Sequence, residues 1–153
     1  MPWQSSSTRR GRRRMERITD IYRELHDDGD YMFDCRIPFA DAAVVEVDGT
    51  YGLFVDTEKL GTLAEENVAV AHEAGHILTR STHKLSSPYE VIGQHEARAD
   101  KWAIKRLIPK DELDEAVKDG CTEAWELAER FDVTEPFMRK AVRWYTCGSL
   151  AET

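Results

Sequence analysis

The chain has 153 residues, of which 41% are hydrophobic and 33% are charged, and its formal net charge at pH 7 is −8. These values predict one soluble globular domain that can bury a proper core, with room for a small appended lobe. No apolar run approaches the roughly 18 residues of a membrane span, and no signal-peptide core follows the N-terminus, which argues against membrane-spanning and secreted classes. The three scattered cysteines indicate a reducing compartment without disulfides, so a cytoplasmic protein is expected.

The charge is unevenly distributed along the chain. Five arginines lie between positions 9 and 14, and removing them from the net charge of −8 leaves −13 for residues 15–153. Such an acidic body argues against general nucleic-acid binding. Residues 1–14 are rich in Ser and Arg and lack an apolar period, so they are predicted to be a disordered basic tail. A solvated tail without a role in the chemistry is favoured over one that contacts an acidic surface or nucleic acid.

Two elements are predicted ahead of the central motif. Residues 16–27 are predicted to form an amphipathic helix, because their apolar side chains recur at helical spacing. Residues 42–56 are predicted to form a β-hairpin around Asp48 and Gly49, a pair typical of two-residue turns. The hairpin is interpreted either as an ordinary cover of the core or as an exposed sheet edge that binds an extended peptide.

The stretch 71–76 reads A-H-E-A-G-H and contains the motif H-E-x-x-H. On a helix, His72 and His76 are four residues apart and share one face, so both imidazoles can point at one ion. Glu73 follows the first histidine and can reach a water bound to that ion, an arrangement typical of zinc peptidases. A polar helix face without a metal is the competing interpretation of this motif.

The helix that carries this motif has a predictable start. Thr62 and Glu65 fit a capping box, so the helix is predicted to begin near Leu63 and to run to about Thr79. Gly75 in its middle costs up to about 1 kcal/mol relative to Ala. We expect that glycine to allow another element or a substrate to approach closely.

A second ligand helix is predicted over residues 95–108, after a loop over residues 80–94 that contains Tyr89. Glu96 and Asp100 are four residues apart on this helix. Glu96 can supply the third ligand that a catalytic zinc site needs. Asp100 can accept the outer N–H of a ligand histidine and thereby fix its tautomer. A two-histidine helix followed by a Glu-x-x-x-Asp helix is the ligand layout of the gluzincin class of metallopeptidases.

The C-terminal third is predicted to be helical, with helices over residues 110–119, 122–131 and 134–145. The short turn between the last two makes them similar to a helix-turn-helix unit. Arg139, Lys140 and Arg143 could form a strip that faces phosphates. Residues 110–146 nevertheless hold 6 basic and 10 acidic residues, so a packing and substrate-docking lobe is favoured over a DNA-binding one.

Over roughly residues 40–146, the chain resembles the ImmA/IrrE family of metallo-endopeptidases. The resemblance is carried by the motif at 71–76, by E-x-x-A-D-x-W-A at 96–103, by L-I-P at 107–109 and by E-L-A-E-R-F-D-V at 126–133. It implies an α+β fold in which a small zincin-like domain over residues 15–109, with a short antiparallel sheet, precedes a helix-turn-helix-like helical lobe over residues 110–153.

The resemblance also implies a function. Family members are intracellular proteins of bacteria, phages or mobile elements, and they cleave a transcriptional repressor, often a helix-turn-helix protein, so that repression is relieved. The chain departs from the family at Thr79 and Arg80, where a more apolar segment is usual, and in its Arg-rich N-terminus. A further sensor domain after the lobe is not expected. Direct DNA binding and membrane association are not expected either, and the oligomeric state is left open.

The chemical hypothesis combines the motifs with this resemblance. Neutral His72 and His76, with ionised Glu96, hold Zn²⁺, and Mn²⁺ is an alternative because it also suits histidine and carboxylate ligands. Glu73 takes a proton from the attacking water and later delivers it to the leaving amine. Asp100 supports a ligand histidine from the second coordination layer.

A hydrogen-bond donor near the metal is expected to stabilise the oxyanion. Tyr89 is the favoured candidate, and the others are His83, His95 and Arg98. For any one of these residues, an ordinary polar position on the surface or in the core is the simpler interpretation.

Two functions without catalysis compete with the peptidase. One is a regulator, with a structural metal or none, that binds a repressor or DNA. The other is a component of a toxin–antitoxin pair that acts by binding its partner. The glutamate of the H-E-x-x-H motif argues against the first, because a structural zinc site needs no general base and usually has four protein ligands.

Overall fold

The computed structural model describes residues 17–82 and 87–150, and within these ranges it has an α+β fold of six helices and a three-stranded sheet. The predicted basic tail (1–14) and the donor candidate His83 lie outside the described residues. The strands are β1 (Tyr31–Asp34), β2 (Ala42–Val47) and β3 (Thr50–Val55). The helices are α1 (17–27), α2 (Leu63–Leu78), α3 (Tyr89–Leu107), α4 (Lys110–Lys118), α5 (Ala124–Phe131) and α6 (Glu135–Cys147).

The predicted hairpin is confirmed. β2 and β3 pair antiparallel with Val47 opposite Thr50, and the residues between them, Asp48 and Gly49, have φ values of 53° and 80°. Two positive φ values in succession characterise the turn whose twist matches that of paired strands. Glycine reaches positive φ without a Cβ clash, and aspartate is one of the few other residues that tolerate it.

The prediction of an antiparallel sheet is wrong, because the sheet is mixed. The strand order is β1-β3-β2, and β1 runs parallel to β3 with Met32 opposite Leu53. The strand β1 was not predicted, since its sequence Y-M-F-D has no apolar–polar alternation to recognise. Its position depends on tertiary contacts: it pairs with β3, and the buried Asp30 just ahead of it accepts a hydrogen bond from the Tyr51 N–H at 3.0 Å.

Helix α2 begins where the sequence predicts. The Thr62 side chain accepts a hydrogen bond from the Glu65 N–H, and the Glu65 carboxylate accepts one from the Thr62 N–H. This capping box satisfies two backbone donors that a helix start leaves without partners. The core-facing side of α2 carries small and branched apolar residues, namely Val70, Ala71, Ala74 and Ile77.

Helix α3 begins at Tyr89, six residues earlier than predicted. The placement of Tyr89 in a loop over 80–94 is therefore wrong. The N–H groups of Val91 and Ile92 both donate to the Pro88 carbonyl, at 3.0 and 3.1 Å, which starts the helix. No residue of 89–98 is buried, so this part of α3 has no apolar stripe from which periodicity could have predicted a helix.

The helices α2 and α3 approach each other closely at Gly75. A Cβ atom on Gly75 would lie 2.7 Å from the Ala99 carbonyl oxygen and 3.1 Å from the Ala99 Cα. Any side chain there would push the two helices apart. The close approach expected at this glycine is confirmed, and the approaching element is α3.

The core is one cluster of apolar side chains that draws on both predicted units, 15–109 and 110–153. Its fully buried members include Ile21, Leu53, Ile104, Met138 and Ala141. Hydrogen bonds also join the units: the Tyr145 hydroxyl donates to the Ile108 carbonyl at 2.7 Å, and the Asn67 amide donates to the Asp132 carbonyl at 2.9 Å. The helical lobe is therefore packed firmly onto the rest of the chain. No helix in the described ranges is long and apolar enough to cross a membrane.

Candidate metal centre

Three side chains from α2 and α3 converge on one point. His72 Nε2 lies 3.0 Å from one carboxylate oxygen of Glu96, and His76 Nε2 lies 3.0 Å from the other. The two Nε2 atoms are 3.2 Å apart. The spacing of four residues places both imidazoles on one face of α2, and the close crossing at Gly75 brings Glu96 to them. The structure thus brings together the three predicted ligands.

This donor set fits a divalent metal ion. The two imidazole nitrogens and the carboxylate oxygen all lie within 4.8 Å of one another. Ligands at neighbouring corners of a tetrahedral zinc site are about 3.3 Å apart when the bonds are ~2.0 Å long. The two Nε2 atoms are 3.2 Å apart, and each lies 3.0 Å from a different oxygen of Glu96. Nitrogen and carboxylate donors suit zinc and manganese alike. Three protein donors are the number that catalytic zinc sites use.

Each histidine is oriented by a second hydrogen bond. His72 Nδ1 lies 2.9 Å from Asp100 Oδ1, and His76 Nδ1 lies 3.0 Å from the backbone carbonyl oxygen of Ser81. Donation from Nδ1 to these acceptors leaves Nε2 of each ring as the metal-binding atom. Asp100 therefore lies where it can accept the outer N–H of His72, and its role behind a metal ligand stays a prediction.

The Ser81 carbonyl reaches His76 because the chain turns sharply after α2. Arg80 has a φ of 53°, in the left-handed region, and the Ser81 N–H donates to the His76 carbonyl at 2.9 Å. This closure resembles the Schellman motif, which usually has glycine at the left-handed position. The Arg80 guanidinium packs over the Tyr51 ring and pairs with Asp28, and these contacts offset the backbone strain.

The electrostatics of the triad are those of a strong ion-pair cluster. Burial lowers the pKa of His72, but hydrogen bonds with Asp100 and Glu96 outweigh it and raise that pKa to about 10. Hydrogen bonds from His72 and His76 hold the pKa of Glu96 far below its usual range. A metal ion must displace protons from the histidines, so metal binding releases protons and weakens as the pH falls.

In His76 and Asp100, too, hydrogen bonds outweigh the effect of burial on the pKa. Burial lowers the pKa of His76, but hydrogen bonds with Glu96 and the Ser81 carbonyl raise it overall. Burial raises the pKa of Asp100, but hydrogen bonds from His72 and Lys140 lower it overall. Asp100 and Glu96 are therefore ionised at neutral pH, as their expected roles require.

The triad faces a cavity of about 310 Å³. Its lining residues are Val44, His72, Glu73, His76, Thr82 and Glu96. The predicted general base Glu73 therefore shares one cavity with all three potential ligands. Val44 belongs to β2, so the hairpin and the metal centre border the same cleft.

The predicted oxyanion donors lie less favourably. Tyr89 is the first residue of α3, and its side chain is 93% exposed. Tyr89, His95 and Arg98 do not occur among the described residues that line the cavity. Thr82 does occur there, with a hydroxyl group that was not considered from the sequence. The donor role of Tyr89 stays a prediction.

Sequence reasoning missed Ser81, Thr82, Val44 and Lys140. Ser81 contributes a backbone oxygen, for which no side-chain motif exists. Lys140 donates to Asp100 from forty positions away along the chain, at 2.9 Å. Only the closeness of Thr82 to the end of the motif could have suggested one of them.

No protein-family model, curated protein or solved structure matches the chain at a significant level. The resemblance to the ImmA/IrrE family stays a prediction from the sequence motifs. Residues His72, His76 and Glu96 form a potential divalent-metal site, and its chemistry is developed below as a proposal.

Proposed function

We propose that this chain is a zincin-type metal-dependent endopeptidase, in which His72, His76 and Glu96 hold zinc or manganese and Glu73 is the general base. One observation carries the proposal: Glu73 lines the same cavity as the three potential ligands. A structural zinc site usually has four protein donors and needs no adjacent base. A carboxylate beside a three-donor site is what metal-assisted hydrolysis requires.

The hydrolytic step can be written in terms of the residues of the chain. His72, His76 and Glu96 would hold a divalent ion, which would act as a Lewis acid towards the scissile carbonyl and would lower the pKa of a water towards ~7. Glu73 accepts a proton from the attacking water, whose oxygen forms a bond with the carbonyl carbon. When the carbon–nitrogen bond breaks, Glu73 delivers that proton to the leaving amine and becomes a carboxylate again. Thr82 lines the cavity and is our preferred donor to the oxyanion.

The free edge of β2 supports a peptide as the substrate. No described strand lies beside this edge. In a hairpin with a two-residue turn, Val47 and Thr50 exchange hydrogen bonds, and bonded pairs alternate from there. The main-chain groups of Val44 and Glu46 therefore point away from β3. Because Val44 also lines the cavity, an extended peptide that adds to this edge passes the triad.

The class of protein substrate follows from the sequence resemblance. The resemblance to the ImmA/IrrE family implies a helix-turn-helix repressor as the target. Cleavage of that repressor would relieve repression. Strand addition at β2 requires an extended segment of about the length of a strand. We therefore place the cleaved bond in a linker or exposed loop of the repressor.

A regulator that binds without cleavage is the second candidate. A groove of about 380 Å³ on α5 and α6 is lined in part by Arg139 and Arg143, which could favour an acidic partner. Arg139 is, however, paired with Glu135 on the same helix. Residues 110–146 also carry a net charge of −4. For these reasons a protein-docking role of the lobe is favoured over DNA binding.

Two variants test the peptidase. Glu73→Gln should keep one metal per chain and lose at least about a hundredfold in hydrolysis, because only the proton transfer is removed. Glu96→Ala should lose the metal or bind it much more weakly. Metal per chain is measured by mass spectrometry after dialysis without chelator, and hydrolysis is followed on a purified helix-turn-helix repressor and on an unfolded protein. Glu90→Gln, an exposed carboxylate in the first turn of α3, is the matched control and should change neither quantity.

Two outcomes would revise the residue roles, and two others would favour the binding regulator. Hydrolysis retained in Glu73→Gln would contradict the general-base role. Unchanged metal content in Glu96→Ala would transfer the third-ligand role to another side chain, such as His95 or Asp100. Little metal in the wild type, even with added zinc or manganese, would favour the binding regulator. A stable repressor complex without cleavage would do the same.

A further inference from the structure

Lys140 reaches the metal centre from the helical lobe. Its ammonium group donates a hydrogen bond to Asp100 Oδ2 at 2.9 Å, while Asp100 Oδ1 lies 2.9 Å from His72 Nδ1. The Asp100 side chain is 15% exposed and the Lys140 side chain is 33% exposed, so the ion pair is partly shielded from water. A chain of hydrogen bonds thus runs from α6 through α3 to the first histidine of the motif.

We propose that Lys140 is a positioning residue of the metal centre: it holds Asp100 in place, and Asp100 in turn fixes the ring of His72 for metal binding. This inference rests on the metal site of the proposed function. It adds a contribution from the lobe, so that α2, α3 and α6 together build the site.

The physical reason is the orientation of the Asp100 carboxylate. A carboxylate with one engaged oxygen can turn about its terminal torsion, which is broad. With His72 on one oxygen and Lys140 on the other, the plane of the group is defined, and so is the direction from which His72 must donate. Partners behind a ligand histidine typically change metal affinity by 10–100-fold. Lys140 lies one contact further out, so its effect should be smaller.

The positive charge of Lys140 has an opposite, long-range effect, because it repels a cation at the triad. Arg139 provides the control for this repulsion. It is the preceding residue on α6, it carries the same charge, and it pairs with Glu135 instead of Asp100. Removal of the Arg139 charge therefore measures how the loss of one positive charge on α6 changes metal affinity while the contact at Asp100 is kept.

The test measures the dissociation constant of Zn²⁺ by competition with a chromophoric chelator. Lys140→Met should weaken binding by about three- to tenfold, whereas Arg139→Met should stay within about twofold of the wild type. Lys140→Arg should recover part of the loss, because a guanidinium can also donate to Asp100 Oδ2. Circular dichroism and the melting midpoint in excess chelator establish that each variant is folded. Lys140→Gln replaces Lys140→Met if the latter is not.

A double-mutant cycle shows whether Lys140 acts through Asp100. In an Asp100→Asn background, Lys140→Met should cause no further loss of zinc affinity, because the contact that it removes no longer orients His72. Equal losses in both backgrounds would overturn the inference, and so would affinities of Lys140→Met and Arg139→Met that agree. In either case the proposed function survives as long as the wild type binds zinc. A wild type that binds no metal overturns both.

Discussion

The helix pairs α2–α3 and α5–α6 hold together in different ways. Where α2 meets α3, Gly75 lies against Ala99, and the adjoining surface carries the cluster of histidines and carboxylates. The pair α5–α6 instead contributes large apolar side chains to the core, namely Leu127, Phe131, Phe137 and Met138. Apolar burial stabilises in proportion to the area removed from water, whereas buried charges must be paired before they stabilise at all.

We infer that the α5–α6 pair mainly stabilises the fold, whereas the α2–α3 pair determines the geometry of the metal ligands. We expect the lobe to lose some apolar packing and still leave the ligands in place, because apolar burial is non-directional. The α2–α3 pair has little freedom, since a shift of an ångström between these helices changes the distances from Glu96 to both histidines. Lys140 extends from the α5–α6 pair to Asp100 of the α2–α3 pair.

The largest expected effect on stability comes from the lobe. Met138→Ala removes a fully buried side chain, and it should lower the free energy of unfolding by about 2–5 kcal/mol. Denaturant unfolding in excess chelator measures the loss, and Met138→Leu, which conserves volume, should cost less than about 1.5 kcal/mol. The folded fraction of Met138→Ala should still take up one metal per chain at saturating zinc. A folded variant that binds none would contradict the separation of the two pairs.

A smaller loss of stability with a larger loss of function is expected at the helix crossing. Gly75→Ala places a Cβ atom 2.7 Å from the Ala99 carbonyl oxygen, so it should cost about 1–3 kcal/mol and weaken metal binding by moving Glu96 away from the histidines. Zinc titration and denaturant unfolding measure the two effects. Gly93→Ala on α3 is the control, because its Cβ meets nothing within 4 Å and Ala favours a helix by up to about 1 kcal/mol. If both variants bound zinc equally well, the close crossing at Gly75 would not determine the position of Glu96 relative to the histidines.

The last expected effect is a pH dependence of the metal-free protein. The pKa of His72 is raised to about 10 in the fold, from about 6.5 in an unfolded chain. Protonated His72 therefore stabilises the metal-free fold fully below pH ~6.5, and this stabilisation is lost as the pH rises through about 10. The free energy of unfolding in excess chelator should fall between pH 7 and 10, by at most about 1.4 kcal/mol per pH unit for one proton. His72→Asn should reduce this slope, and His76, whose pKa is also raised, should contribute to what remains. An unchanged slope in that variant would assign the pH dependence to other groups.

Local signals in the sequence predicted several features correctly. The capping box of Thr62 and Glu65 marks the start of α2, and Asp48 and Gly49 mark the hairpin turn. Both signals depend on contacts within four residues, so they can be recognised without knowledge of the fold. The same is true of His72 and His76, because the helical repeat alone places them on one face.

Structural features that leave no local pattern in the sequence were missed or misplaced. The strand β1 is defined by pairing with β3, and the start of α3 has no buried stripe, so neither has a period to recognise. The mixed sheet follows from the same cause. Glu96 was predicted as a ligand from its spacing to Asp100, but its distance to the histidines depends on the crossing at Gly75.

By itself, the sequence determined the identity of the potential ligands, the helix that carries two of them and the turn of the hairpin, because these depend on backbone periodicity and short-range hydrogen bonds. Only the tertiary structure decided what surrounds them: the Ser81 carbonyl behind His76, Val44 at the edge of the cavity, and Lys140 behind Asp100. These contacts join residues that share no spacing rule along the chain. They exist because close-packed helices bring distant side chains within hydrogen-bond distance of one another.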